Sequence, residues 1–269
     1  MPPALSFPTW LSIVRMSYAA FHLIFLIPAI ILLWATLPQS LSSLGGWRAQ
    51  WAIPLVAAIA FTYTTPWDNY LVAREVWWYG PDRVLATIGY VPVEEYLFFL
   101  LQPILTGLFT FQYLARAGGN PTTRSSRGMW AGVVLFGGLS LLGVGLLISG
   151  AARGLYLGLI LAWACPLLTG MWLYDGETLW AHRRVLLYAI GGPTLYLWIA
   201  DATAIASGIW TIADAFTLGI APVGLPLEEA TFFLVTNCLV VKGILLLLFG
   251  EHDSLRHLQK IESAAPLDE

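Results

Sequence analysis

Charge is what this chain has least of. Asp, Glu, Lys and Arg make up 11% of its 269 residues, where a soluble domain carries about 25%. So few charges cannot cover a water-facing surface, which excludes an ordinary soluble globular domain. A basic surplus is missing too: the formal net charge is −3, so no face is built for nucleic acid. Cysteine occurs twice, at Cys165 and Cys238, both within apolar runs. That excludes a disulfide framework and predicts two small buried hydrophobes. Histidine stands only at His22, His182, His252 and His257, too scattered for a metal centre, so no metal is expected. Met1 to Trp10 lacks a basic stretch and a small-residue cleavage site, and no cleaved signal peptide is expected.

Apolar and aromatic residues fill the space. The chain is 58% hydrophobic, holds 13 Trp and has a mean hydropathy of +0.73. A bilayer core about 30 Å thick asks for roughly 20 apolar residues per helix. Such stretches lie near 14–37, 49–66, 92–115, 129–150, 154–174, 185–206 and 226–249. They predict an all-α polytopic integral membrane bundle of about seven transmembrane helices. The second stretch is short and ends in Thr64-Thr65-Pro66. The glycines at 132, 137, 138, 143 and 145 fall inside an apolar helix, where close helix packing is the reading. Residues 251–269 form a polar tail.

Positive charge orients the spans. Arg15, Arg74, Arg83 and Arg153 fall on one face; Arg48, Arg116, Arg124, Arg127, Arg183, Arg184, Arg256 and Lys260 fall on the other. The excess predicts an N-terminus outside and a C-terminus in the cytoplasm, in the cell (inner) membrane. Lys242, in the last span, is expected to snorkel to the cytoplasmic interface.

An internal repeat organises the chain. Pro92-Val93-Glu94-Glu95-Tyr96-Leu97-Phe98-Phe99 returns as Pro226-Leu227-Glu228-Glu229-Ala230-Thr231-Phe232-Phe233, 134 residues later. Asp68 precedes Trp77 by nine positions, as Asp201 precedes Trp210. The offset amounts to four spans, so both motifs meet the membrane from the same face. The parse is a parallel repeat: spans one to three in 1–117, a linker and connecting span in 118–153, spans five to seven in 154–250. Parallel repeats place a shared site between halves.

Each motif stands where a polar loop meets an apolar helix. Proline favours the first helical position, and carboxylates in the first turn gain ~0.3–1 kcal/mol from the unpaired amides there, so a plain helix start is the bland explanation. Recurrence argues for more. Glu94 and Phe98, Glu95 and Phe99, Glu228 and Phe232, Glu229 and Phe233 are four apart, so each carboxyl shares a helix face with a ring. Adjacent glutamates point about 100° apart, so one lines a site while its neighbour supports it. Carboxyl groups gathered with Asp68 and Asp201 would repel when ionised and hold protons. A protonated acid in an aromatic pocket can protonate a carbon–carbon double bond, and ring faces stabilise the resulting cation.

The doubled Pro-x-Glu-Glu motif, with Trp67-Asp68-Asn69-Tyr70…Trp77-Trp78-Tyr79 and Asp201…Gly208-Ile209-Trp210, resembles the lycopene cyclase domain of carotenoid synthesis. The likeness covers residues 10–250 and is nearest to the non-flavin, heterodimer-type lycopene β-cyclases, here with both subunits fused. The resemblance implies a redox-neutral isomerisation in which lycopene's linear ends become β-ionone rings. Glu94, Glu95, Glu228 and Glu229 would supply acid and base, assisted by Asp68 and Asp201. Trp77, Trp210, Phe98, Phe232 and Asn69 would contact the substrate. The expected partners are lycopene, the lipid bilayer and other carotenoid-pathway membrane enzymes. No cofactor is expected, because no strand-borne glycine fingerprint for a flavin is present. The second half has Ala202 where the first has Asn69, and it lacks a counterpart of Tyr79.

Rival readings remain at this stage. A carotenoid hydratase would protonate the same bond and then admit water. A seven-helix retinal pump or sensor would use Lys242 as a Schiff base, yet no acid lies at its depth to serve as counterion. A prenyltransferase needs paired aspartates, whereas Asp68 and Asp201 stand alone. A proton-coupled transporter is a further alternative.

Overall fold

Seven long helices carry most of the described residues in a computed structural model that covers 16–38, 40–117 and 121–250. Helix α1 (Tyr18–Ala35) starts at Ser17, whose Oγ accepts from the Ala20 amide, and contains a π turn at His22–Leu26. Helix α2 (Leu41–Ala73) runs for 33 residues and bends at Gly45 and Gly46. The remainder are α3 (Val93–Ala117), α4 (Ser126–Ile148), α5 (Leu155–Ala181), α6 (Arg183–Ala206) and α7 (Leu227–Phe249).

All of these except α2 are long and apolar enough to cross a membrane. Their outward faces are apolar: Ile31, Val134, Leu141, Ile148, Leu187 and Ile199 are all exposed. A surface of that kind is stable in lipid rather than water, and the protein is a multi-pass membrane protein. The expected span at 49–66 lies within α2, whose threonines, tyrosine and asparagine lower its hydropathy. Helix α2 nevertheless runs the length of the bundle. Gly45 meets Leu248 of α7 at one end, and its last turn is followed by strand β1 (Trp77–Tyr79) at the other.

Helices α3 and α7 form the centre, with α2 and α6 packed on both. Gln102 and Thr106 of α3 both donate to Asn237 Oδ1 of α7 (2.6 Å each), and Asn237 in turn donates to Thr194 of α6. Such buried amides join helices where lipid offers no competing partner. Helix α4 rests on α5. Gly132 admits the Trp172 ring, and Gly143 meets the Leu161–Ala162 turn. Gly138 and Gly145 have no neighbour that an added Cβ would meet, and Gly137 meets only Thr169. The packing reading therefore holds for part of the glycine stripe.

Lys242 departs from expectation. It is 2% exposed, and Nζ lies 3.6 Å from the Phe136 ring centre and 5.3 Å from that of Trp172. The two rings hold the cation inside, so it does not snorkel. Cys165 and Cys238 are free and buried. Residues 251–269, Arg15 and the stretch Met1 to Trp10 lie outside the described residues, as do 118–120 of the linker.

Short strands close one end. β1 pairs antiparallel with β4 (Trp210–Ile212), matching Trp77 to Ile212 and Tyr79 to Trp210. Gly80 N–H to Ile209 C=O and Ala213 N–H to Val76 C=O, both 2.9 Å, extend the pairing on either side. A second small hairpin joins β2 (Thr87–Ile88) to β3 (Val91–Pro92) just before α3.

Candidate active site

Both Pro-x-Glu-Glu segments start a helix, and they do so in the same way. The Val93 amide donates to Ala86 C=O (3.0 Å) and the Leu227 amide to Ile220 C=O (2.8 Å). Glu94 Oε1 then accepts from the Leu85 amide, and Glu228 Oε1 from the Leu218 amide, each at 2.8 Å. These two carboxyls turn back onto the preceding loop and do not line the cavity. The 100° step between neighbours sends the first of each pair to the loop, as the spacing predicts, so two of the four glutamates to which the resemblance gave acid and base roles reach the cavity.

The second of each pair turns inward. Glu95 and Glu229 line one cavity with Asp68 of α2 and Asp201 of α6. Three phenols serve them. Tyr18 and Tyr79 donate to Glu95 Oε2 at 2.8 and 3.0 Å, and Tyr156 donates to Glu229 Oε1 at 2.6 Å. Trp210 Nε1 donates to Asp201 Oδ1 at 3.0 Å, while Trp77 Nε1 donates to the Tyr79 hydroxyl at 3.2 Å. Asp68 Oδ2 and Asp201 Oδ2 are buried without a hydrogen-bond partner among the described residues. Burial, reinforced by the neighbouring Glu95 and Asp68, pushes the Tyr79 phenol well above its ordinary range. It therefore remains an O–H donor at neutral pH.

The walls are aromatic. Trp67, Trp77, Trp210, Phe98, Phe232 and Phe233 surround the carboxyls. Trp67 stacks on Phe232 with centroids 5.7 Å apart and planes 1° from parallel. The halves interlock here. Trp77 of β1 lies 5.5 Å from the Tyr156 ring of α5, and Trp210 of β4 lies 5.0 Å from that of Tyr18 in α1.

The carboxyl chamber itself is small, about 40 Å³. Phe98 and Phe232 separate it from an apolar cleft of about 210 Å³ between α2, α3, α5 and α7. Leu55, Ile59 and Leu167 line that cleft and are also exposed on the outer surface. Helices α2 and α5 scarcely touch through their backbones. Side chains bridge the fissure between them: Tyr63 donates to Trp163 C=O at 3.0 Å, and Trp163 stacks on both Tyr63 and Trp67.

Of the residues read from sequence, Asp68, Glu95, Asp201, Glu229, Trp77, Trp210, Phe98 and Phe232 come together. Asn69 does not. Its Nδ2 donates to Thr65 C=O and the Tyr96 hydroxyl, and its Oδ1 accepts from the Tyr90 amide, so the side chain is consumed in bracing the β2–β3 hairpin. The sequence reading missed Tyr18 and Tyr156, which stand far from the motifs at the starts of their helices. One signal was available: each lies near the N-terminal end of the first span of its half.

Among the described residues, no group of three or more His, Cys, Asp and Glu is arranged to hold a metal ion. No family model matches the chain, and no solved structure matches it. Curated relatives do. It is 45% identical over 206 residues to a lycopene beta-cyclase of Halobacterium salinarum, covering 75% of this chain and 84% of the relative. It is 33% identical over 237 residues to a bifunctional lycopene cyclase/phytoene synthase of Gibberella fujikuroi, covering 85% of this chain and 39% of that longer protein. A protein of the same name from Colletotrichum graminicola is 39% identical over 206 residues, covering 70% of this chain and 34% of that protein.

Proposed function

The chain belongs to the lycopene β-cyclase family, and from that premise we propose that the aromatic chamber closes the linear end groups of lycopene into β-ionone rings without a cofactor. One observation carries the reading: Asp68, Glu95, Asp201 and Glu229 meet inside a wall of indole and phenyl rings beside an apolar cleft.

The chemistry is an isomerisation, so one proton enters and one leaves. A carboxylic acid protonates C2 of the end group, leaving a tertiary cation at C1. The C5=C6 pair attacks C1 and closes the ring, which moves the cation to C5. A carboxylate removes the C6 proton, restoring C5=C6. Ring faces at Trp67, Trp77, Trp210 and Phe232 stabilise each cation by their quadrupoles. Two phenols on one oxygen of Glu95 stabilise negative charge there, and we assign Glu95 as the base. Glu229, with one phenol, is assigned as the acid, and Asp201 and Asp68 pass the proton back between them. The chamber is too small to hold an end group at rest, so the Phe98 and Phe232 rings turn aside on binding. Its aromatic lining favours ring closure over capture of water, which argues against the hydratase. Lys242, caged by Phe136 and Trp172, has no carboxyl partner among the described residues, which argues against a retinal Schiff base.

We read α2 as a seventh span and the two halves as the fused counterparts of a heterodimeric enzyme. The matching loop bonds of Glu94 and Glu228 support this. The charge excess supports a chamber at the outer face of the cell membrane and a C-terminus in the cytoplasm. The test is expression in a lycopene-accumulating bacterial strain, with pigments resolved by chromatography. Conversion to γ- or β-carotene is expected; persistence of lycopene despite membrane insertion would overturn the assignment.

A further inference from the structure

Among the described residues the two halves differ in one respect that the chemistry above leaves unused: a position left open at the cleft on one side is filled on the other. The offset of 134 residues that carries Glu95 to Glu229 also carries Phe109 to Gly243. On α7, Gly243 leaves open space, and an added Cβ would meet only Val56 at 3.4 Å and Met171 at 4.0 Å, both of which line the cleft. On α3, the Phe109 ring occupies the matching position and presses on Gly192 of α6, where an added Cβ would lie 2.4 Å from it. Deeper still, Leu247 lines the cleft, while its counterpart Tyr113 stacks on Tyr188 at 5.4 Å. One side is hollow and the other is plugged by three rings.

We propose that the polyene chain of the substrate lies in the cleft between α2, α3, α5 and α7, and that Gly243 determines how far it can reach. This deepens the cyclase reading and rests on it. The cleft abuts the carboxyl chamber, with the Phe98 and Phe232 rings lining both as the partition between them. Its lining is almost wholly apolar, as a hydrocarbon chain requires. Along α7 the lining runs from Phe232 to Leu247, about 22 Å of helix at 1.5 Å per residue. Beyond the cleft the chain leaves through the α2–α5 fissure into lipid. Gly243 stands about 16 Å along the helix from Phe232, so a side chain there closes the lower cleft and leaves the chamber untouched.

The experiment uses the full chain in membranes with two substrates: lycopene and a shortened acyclic polyene with the same end group, ending above the depth of Gly243. Gly243→Leu should lower lycopene conversion at least tenfold and leave the short polyene within about twofold, a shift in selectivity that general damage to the fold does not produce. Val56→Phe fills the same space from α2 and serves if Gly243→Leu does not fold. Phe109→Ala, on the plugged side, should leave lycopene conversion unchanged. The proposal is overturned if a folded cleft-filling variant converts lycopene normally, or loses both substrates equally. Should the unaltered protein convert neither, the cyclase reading itself fails, a result separate from any contrast among variants.

Discussion

At the scale of single residues, the two inward glutamates carry the sharpest expectations. Glu95→Gln and Glu229→Gln should each lower cyclisation by about 10²–10⁴-fold, the usual worth of a positioned acid or base, with membrane insertion intact. Full activity in both would remove them from the reaction. The phenols separate the two sites. Tyr156 is the sole hydroxyl on Glu229 among the described residues, and a hydrogen bond to a charged group is worth about 1.5–3 kcal/mol. Tyr156→Phe should therefore slow turnover by about tenfold or more. Tyr18→Phe leaves Tyr79 on Glu95 and should cost less than about threefold. Initial rates of pigment formation in membranes check both, and equal losses would refute the assigned asymmetry. The absent counterpart of Tyr79 was legible from the repeat, and it is where the two halves now diverge in hydrogen bonding. Tyr18 and Tyr156 were not legible, because a tyrosine at the start of a membrane helix has the composition of an interfacial anchor.

Elements set which carboxyl faces the chamber. The helix starts at Val93 and Leu227 were readable from Pro92 and Pro226, and their first turns hold the glutamates as expected. What sequence could not show was the loop folding back onto Glu94 and Glu228, since that contact joins residues nine or ten apart through irregular backbone. Its consequence is testable. Glu228→Ala leaves the Leu218 amide unpaired and should destabilise the protein by about 1–3 kcal/mol, seen as a lower melting temperature in detergent. Activity per folded molecule should stay within about threefold. Loss of activity with unchanged melting would instead return Glu228 to the chemistry. Asn69 belongs to the same level. It reads as a polar residue beside Asp68, but its hydrogen bonds to Thr65 of its own helix, to the Tyr96 hydroxyl of α3 and from the Tyr90 amide in the β2–β3 turn leave no donor for a substrate.

For the molecule as a whole, the helical membrane architecture was plain from hydropathy alone, and all expected spans coincide with helices. The pairing of β1 with β4 and the cleft were not, because both depend on segments meeting across more than a hundred residues. Orientation rests on charge and is open to measurement. A fluorescent protein fused after Glu269 should fold and emit, whereas an alkaline phosphatase fused there should be inactive; the opposite pattern would invert the topology.

Across the α2–α5 fissure the Tyr63–Trp163 hydrogen bond and its stacked rings form a clasp rather than a wall. A clasp of about 1.4 kcal/mol is undone in roughly one molecule in ten at any instant. The passage then opens by thermal fluctuation alone, with no trigger and no energy source. On the proposed route through the fissure, turnover should follow the order of the surrounding acyl chains: slower in stiffer bilayers, which hold the clasp shut for longer, and faster in fluid ones.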